Sequence, residues 1–170
     1  MPLTNPDKGD LVKIADVLLS SNVTSIDLTG IPSNFRYLLL KAELLSKADN
    51  IGTSSLYVRL NNASGTEYSW QYSLFKSGML VTPVGATVQS ELIPDSVFYN
   101  IFIIGSFHLE INQIDAGYKM ARSSLLNETG VNSECSSVWT NNMDFISSIQ
   151  LVTTTDEYTV GSRIMLYGVR

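Results

Sequence analysis

Leu56-Tyr57-Val58-Arg59-Leu60, then Asn61-Asn62-Ala63-Ser64-Gly65-Thr66-Glu67, then Tyr68-Ser69-Trp70-Gln71-Tyr72-Ser73-Leu74 is the stretch whose reading decides the fold class. In the first run Leu56, Val58 and Leu60 alternate with Tyr57 and Arg59. In the last, Tyr68, Trp70, Tyr72 and Leu74 alternate with Ser69, Gln71 and Ser73. A period of two sends successive side chains to opposite faces of a strand, whereas a helix needs apolar residues three and four apart. Both runs therefore read as strands. The residues between them tolerate tight or left-handed backbone, so the whole segment reads as a hairpin.

Working outward, the same period recurs. Ile14 to Leu19 and Val23 to Leu28 read as a second hairpin around Ser20-Ser21-Asn22, closed by Gly30-Ile31-Pro32, where proline interrupts a ladder. A short helix over Lys8 to Leu19 is the alternative, because Leu11, Ile14, Ala15 and Leu18 have helical spacing. Phe35 to Leu45 is a longer strand with Leu38, Leu40, Ala42 and Leu44 on one face. Its start is apolar on both faces, which places it mid-sheet or under a partner. Val97 to Asn112 is the longest candidate, with Gly105 expected at a bulge or bend. Tyr118 to Leu125, Glu134 to Thr140, Ile146 to Thr153 and Arg163 to Val169 follow, separated by polar turns. The expectation is an all-β chain of about ten strands: an antiparallel two-sheet β-sandwich, jelly-roll-like, over residues 11–170, preceded by an N-terminal arm over residues 1–10.

Composition bounds what such a sandwich does. The chain has 170 residues with 44% hydrophobic content, enough for one core, and only 16% charged residues. A net charge of -5 with an isoelectric point near 4.7 argues against nucleic acid as a partner, since phosphate binding needs clustered Lys and Arg. Met1 to Asp10 has prolines and aspartates where an export signal needs an apolar stretch, and the densest apolar block, Ile101 to Ile104, is far short of the ~18 residues that span a bilayer. A soluble protein with no membrane partner is expected. Cys135 and His108 are each the only residue of their kind, which leaves no intramolecular disulfide and no cluster of soft metal ligands. The glycosylation-type triplets at Asn22, Asn62 and Asn127 read as chance occurrences.

Catalytic constellations are equally thin. Ser-His-acid chemistry needs a base beside a nucleophile, and His108, with Glu110 two residues on, has no nucleophile motif to serve. Glu110 and Asp115 are a conceivable glycosidase pair of the sort any acidic chain supplies. Asp7, Asp10, Asp49, Asn50, Asp156 and Glu157 offer oxygen for calcium, without the spacing of a dedicated loop. The aromatic face of Tyr68, Trp70 and Tyr72 reads as core before it reads as a sugar platform, and Cys135 as a packing residue. No enzyme and no cofactor is expected.

The order Leu56-Tyr57-Val58-Arg59-Leu60-Asn61-Asn62, Ser64-Gly65, Tyr68-Ser69-Trp70 resembles a family of tailed-phage virion structural proteins. Ile26-Asp27-Leu28-Thr29-Gly30-Ile31-Pro32 leading into Phe35-Arg36-Tyr37-Leu38, and Ile149-Gln150-Leu151 with the closing Gly161-Ser162-Arg163-Ile164-Met165-Leu166-Tyr167-Gly168-Val169, extend the likeness over most of the chain. Lys76 to Ser96 matches nothing in it. The resemblance implies a β-sandwich on phage particles with no catalytic residues. It implies a capsid decoration or cement protein, with a tail fibre or tail accessory receptor-binding protein as the alternative and a carbohydrate-binding lectin-like module as the alternative of another class. Its partners would be other virion proteins and copies of itself, with a trimer favoured and a surface glycan left open. It would be assembled in the host cytoplasm and located on the virion. The candidate subunit-contact residues are Pro2 and Leu3 in the arm, Phe35, Tyr37 and Leu39 where the long strand begins, and Met165 and Tyr167 in the last strand.

Overall fold

The computed structural model describes residues 10–47, 56–63, 68–76, 79–89, 103–112, 119–127, 131–140, 144–153 and 157–170. Twelve strands lie among them: β1 (Leu11–Leu18), β2 (Ser25–Thr29), β3 (Tyr37–Lys47), β4 (Leu56–Leu60), β5 (Tyr68–Lys76), β6 (Met79–Gln89), β7 (Ile103–Asn112), β8 (Lys119–Asn127), β9 (Val131–Trp139), β10 (Ser148–Thr153), β11 (Glu157–Tyr158) and β12 (Arg163–Val169). They form a nine-stranded sheet in the order β1-β12-β3-β7-β8-β9-β5-β6, with β11 also pairing β3, and a three-stranded sheet in the order β2-β10-β4. Every strand pairing is antiparallel. The chain is an all-β sandwich of jelly-roll type, as its period of two indicates. Two of its strands have no counterpart in the sequence reading: β6, within the unmatched segment, and the two-residue β11.

The small sheet lies over the large one, and the apolar half of each alternation fills the space between. Ile26 and Leu28 of β2, Ile149 and Leu151 of β10, and Leu56, Val58 and Leu60 of β4 are buried from one side. Leu38, Leu40, Ala42 and Leu44 of β3, with Ile164 and Leu166 of β12, are buried from the other. Phe35 belongs to the same core, at 5% exposure. A Cβ at Gly168 would collide with its ring, so this glycine is where ring and backbone meet. Burying apolar area at roughly 25 cal/mol per Å² is the main stabilising term in such a stack.

Both expected hairpins are corrected. β4 pairs β10 in the small sheet, while β5 pairs β6 and β9 in the large one. The turn itself is as expected: Asn61 and Asn62 have φ of 50° and 56°. What it does is carry the chain from one sheet to the other. The Asn61 Oδ1 accepts hydrogen bonds from the backbone N–H of Ser147 (2.7 Å) and of Ser148 (3.1 Å), and its Nδ2 donates to the Phe145 carbonyl (2.7 Å). That docks the start of β10 beside the end of β4. The Tyr68 hydroxyl then ties the sheets together, accepting from the Leu60 N–H (3.0 Å) and lying within hydrogen-bond reach of the Leu60 carbonyl (3.2 Å).

β1 and β2 likewise sit in different sheets, β1 on β12 and β2 on β10. The bend between them is fastened elsewhere. Val23 and Tyr158 exchange backbone hydrogen bonds (3.0 and 2.7 Å), and the Asn22 side chain accepts from the Val160 N–H (3.3 Å) and donates to Glu157 (3.2 Å). The helical alternative over Lys8 to Leu19 resolves to a strand. The register shift between Lys13 and Ala15 leaves Ile14 as a bulge, and that extra residue produced the helix-like spacing. Gly105 carries no bulge: its register runs unbroken against β3 on one side and β8 on the other. Of the N-terminal arm only Asp10 is described, so Pro2 and Leu3 lie outside the described residues.

Candidate contact surface

Residues that alternate with the buried set of β1, β12 and β3 form the outward face of the large sheet at one margin. Cross-strand register arranges them in rows: Leu11, Val169 and Tyr37; Lys13, Tyr167 and Leu39; Asp16, Met165 and Lys41; Leu18, Arg163 and Glu43. Tyr37 is 46% exposed, Leu39, Met165 and Tyr167 are half-buried, and the Tyr167 hydroxyl donates to the Met165 sulfur at 3.4 Å. Four of the seven sequence-derived contact candidates therefore share this face on neighbouring strands. Phe35 does not join them. It points into the core because the chain turns inward there, the Arg36 N–H bonding the Val169 carbonyl at 2.8 Å.

Three of the charges on this margin, Lys13, Asp16 and Arg163, are paired. Arg163 grips Asp16 through two parallel hydrogen bonds, Nε to Oδ1 and Nη2 to Oδ2, each 3.0 Å, and the Lys13 ammonium donates to Oδ2 at 3.0 Å. Arg163 first, and Lys13 second, hold the Asp16 carboxyl well below the usual carboxylate range. The same pairing raises the Arg163 guanidinium. These groups are solvated, so the fork orients Arg163 more than it stabilises the fold. Farther along the sheet, Arg122 lies 3.6 Å from Glu134.

Register continues the rows away from the margin. Glu110 follows Leu39 and precedes Arg122; His108 follows Lys41 and precedes Ser124. Glu110 is exposed, and its conceivable catalytic partner, Asp115, lies outside the described residues. Among the described residues, no three His, Cys, Asp or Glu side chains gather as a metal site would require. Of the calcium candidates Asp10 and Glu157 are described, and Glu157 accepts from Asn22. The sugar-platform alternative loses part of its aromatic strip: Tyr68 is 1% exposed and stacks on the wholly buried Trp139, centroids 6.3 Å apart and planes inclined by 21°.

Sequence reasoning missed two features here, the exposed leucines at either end of β1 and the Arg163–Asp16 fork. The residues of the fork are 147 positions apart, and a single sequence carries no signal that joins them. The leucines were legible as apolar positions, but the helical spacing disguised their outward face.

No family model matches the chain, and no curated protein matches it. Among solved structures it is similar to the marine PL-14 alginate lyase from Aplysia kurodai, with 11% identity, a TM-score of 0.39, and coverage of 82% of this chain and 71% of that one. It is also similar to scytalido-glutamic peptidase bound to a transition-state analogue inhibitor, at 13% identity and a TM-score of 0.34, covering 84% and 74% of the two chains. A third likeness, to the structure of infectious bursal disease virus Gt strain, has 16% identity and a TM-score of 0.16 over 96% of this chain and 42% of that one. Likenesses of this size carry no functional weight for this chain.

Proposed function

We propose that the protein is a non-enzymatic phage virion structural protein, a capsid decoration protein acting through symmetric contacts with copies of itself and with neighbouring virion proteins. The observation that supports it is the outward face at the β1–β12–β3 margin, where Tyr37, Leu39, Met165 and Tyr167 hold aromatic and apolar groups on rigid, fully paired strands. Aromatic residues and Met are enriched at the centres of protein interfaces, and an open sheet face suits a repeated neighbour better than a small substrate. The family resemblance supplies the setting, a particle on which one subunit is repeated, and the assembly it favours on that particle is a trimer.

The test is occupancy. Labelled protein added to phage particles stripped of their decoration should bind saturably, and a Tyr37→Asp, Tyr167→Asp double variant with an unchanged melting temperature should lose that binding. Equal binding by the double variant would take the outward face out of the account, and binding to a glycan array instead of particles would favour the lectin-like reading.

A further inference from the structure

β1 is the last strand of the large sheet on its side and pairs only with β12, so one of its edges is open among the described residues. An open edge normally invites pairing and is blunted by charge, bulges or shortness. This one has a bulge at Ile14 and two charges, Lys13 and Asp16, yet it spans eight residues and carries two strongly exposed leucines, Leu11 at 57% and Leu18 at 67%. Its sequence, Leu11-Val12-Lys13-Ile14-Ala15-Asp16-Val17-Leu18, matches itself when read backwards: leucine against leucine, valine against valine, lysine against aspartate, isoleucine against alanine.

We infer that β1 pairs with the β1 of a second copy of this chain, antiparallel about a two-fold axis between Ile14 and Ala15, joining two large sheets into one. In this register Leu11 lies opposite the partner's Leu18 and Lys13 opposite the partner's Asp16, each contact made twice by symmetry.

The bulge makes the register work. Opposite residues in an antiparallel pair point to the same face, yet Lys13 and Asp16 are three apart and would face opposite ways in a regular strand. The extra residue at Ile14 restores the match: Leu11, Lys13, Asp16 and Leu18 are all exposed, and Val12, Ile14, Ala15 and Val17 are all half-buried. Backbone direction agrees. Leu19 donates to the Ser162 carbonyl (2.9 Å) and accepts from the Gly161 N–H (3.0 Å), on the β12 side, so by alternation Leu18 and Asp16 turn their backbone groups to the open edge. Arg163 retains its fork on Asp16, and Lys13 exchanges its bond to its own Asp16 for one to the partner's carboxylate.

The opposed charges also select the occupant. A strand without an acid opposite Lys13 and a base opposite Asp16 is penalised, whereas a second copy supplies both. A contact confined to one short strand falls below the ~1,000 Å² of a stable interface, so the dimer should dissociate on dilution. This inference does not rest on the virion reading, and it leaves Tyr37 and Tyr167 available for other contacts.

Sedimentation velocity on the full chain over a concentration series tests it. The unmodified protein should shift from monomer to dimer as concentration rises. Lys13→Asp and Asp16→Lys, each placing like charges across the axis, should raise the dissociation constant by about tenfold or more. An equimolar mixture of the two variants should recover the dimer, because both cross-axis contacts are then of opposite charge; a misfolded variant would not recover. A protein that stays monomeric throughout, self-association insensitive to either reversal, or failure to recover in a mixture of variants whose melting temperatures match the unmodified protein would each overturn the inference. A dimer that ignores phage particles would leave it standing and remove the virion reading; particle binding by a strict monomer would do the reverse.

Discussion

The small sheet and the β1–β12–β3 margin obey the same alternation and spend their outward positions differently. On β2, β10 and β4 the inward residues are Ile, Leu and Val with Thr153, and the outward ones are mostly polar, Ser25, Asp27, Thr29, Arg59, Ser148 and Gln150 beside the pair Tyr57 and Val152, with Gln150 donating to Asp27 at 2.7 Å. That face is largely polar, with one apolar pair in it. At the margin of the large sheet the outward positions include Leu11, Leu18, Tyr37, Leu39, Met165 and Tyr167, and the edge strand carries a bulge. Period two says which residues face inward; it is the content of the other face that marks a surface as solvent-exposed or adhesive.

The sharpest way to break this contrast is to delete leucines on both sides of it. Leu151→Ala, at a wholly buried site on the central strand of the small sheet, should cost about 2–5 kcal/mol in urea unfolding. Leu18→Ala at the margin should stay within about 0.5 kcal/mol in the same assay at monomeric concentrations. Comparable losses would mean that Leu18 is covered within the monomer and is no part of a contact surface.

A smaller effect is expected at the joint between the regions. Asn61→Ala removes the acceptor for the Ser147 and Ser148 N–H groups and leaves a left-handed residue without its side-chain bonds. A loss of about 1–2 kcal/mol should follow, read as a lower urea midpoint with unchanged slope. A changed slope would instead indicate that the two sheets no longer unfold together.

The smallest effect belongs to Asp16. Its carboxyl titrates lower in the folded chain than in the unfolded one, so the unfolded state binds its proton first as pH falls. Its contribution is complete above the ordinary carboxylate value, near 4, and fades as pH drops below that toward the lowered folded value. Because the group is exposed, the change is slight. Asp16→Asn should flatten the acid limb of the stability profile by slightly lowering the plateau above about pH 4 while meeting the unmodified protein in strong acid, and a stability difference that titrates near neutrality would contradict the assignment.

Much of the fold was legible in local pattern. The alternations at Leu56–Leu60, at Leu38, Leu40, Ala42 and Leu44, and at Ile164 and Leu166 identified strands and their buried faces, because burial of one face is a property each strand carries along its own length. The mid-sheet place of β3, between β12 and β7, is one of the two settings that apolar residues on both of its faces allow, the other being a place under a partner. Of the contact candidates, Tyr37, Leu39, Met165 and Tyr167 lie where an outward apolar surface needs them, while Phe35 was absorbed by the core.

Partner choice was not written locally. Nothing between Leu60 and Tyr68 announces that the chain changes sheets, because a turn permits a reversal without requiring its two strands to pair. Asn61 reaching Ser147, Asn22 reaching Val160, and Arg163 reaching Asp16 set the neighbours, and each joins residues far apart in the chain. Strand identity and inward face were thus matters of composition and period. Which strand lies beside which, and hence which outward residues gather into one surface, depended on long-range hydrogen bonds that form only when the two layers close on a common core.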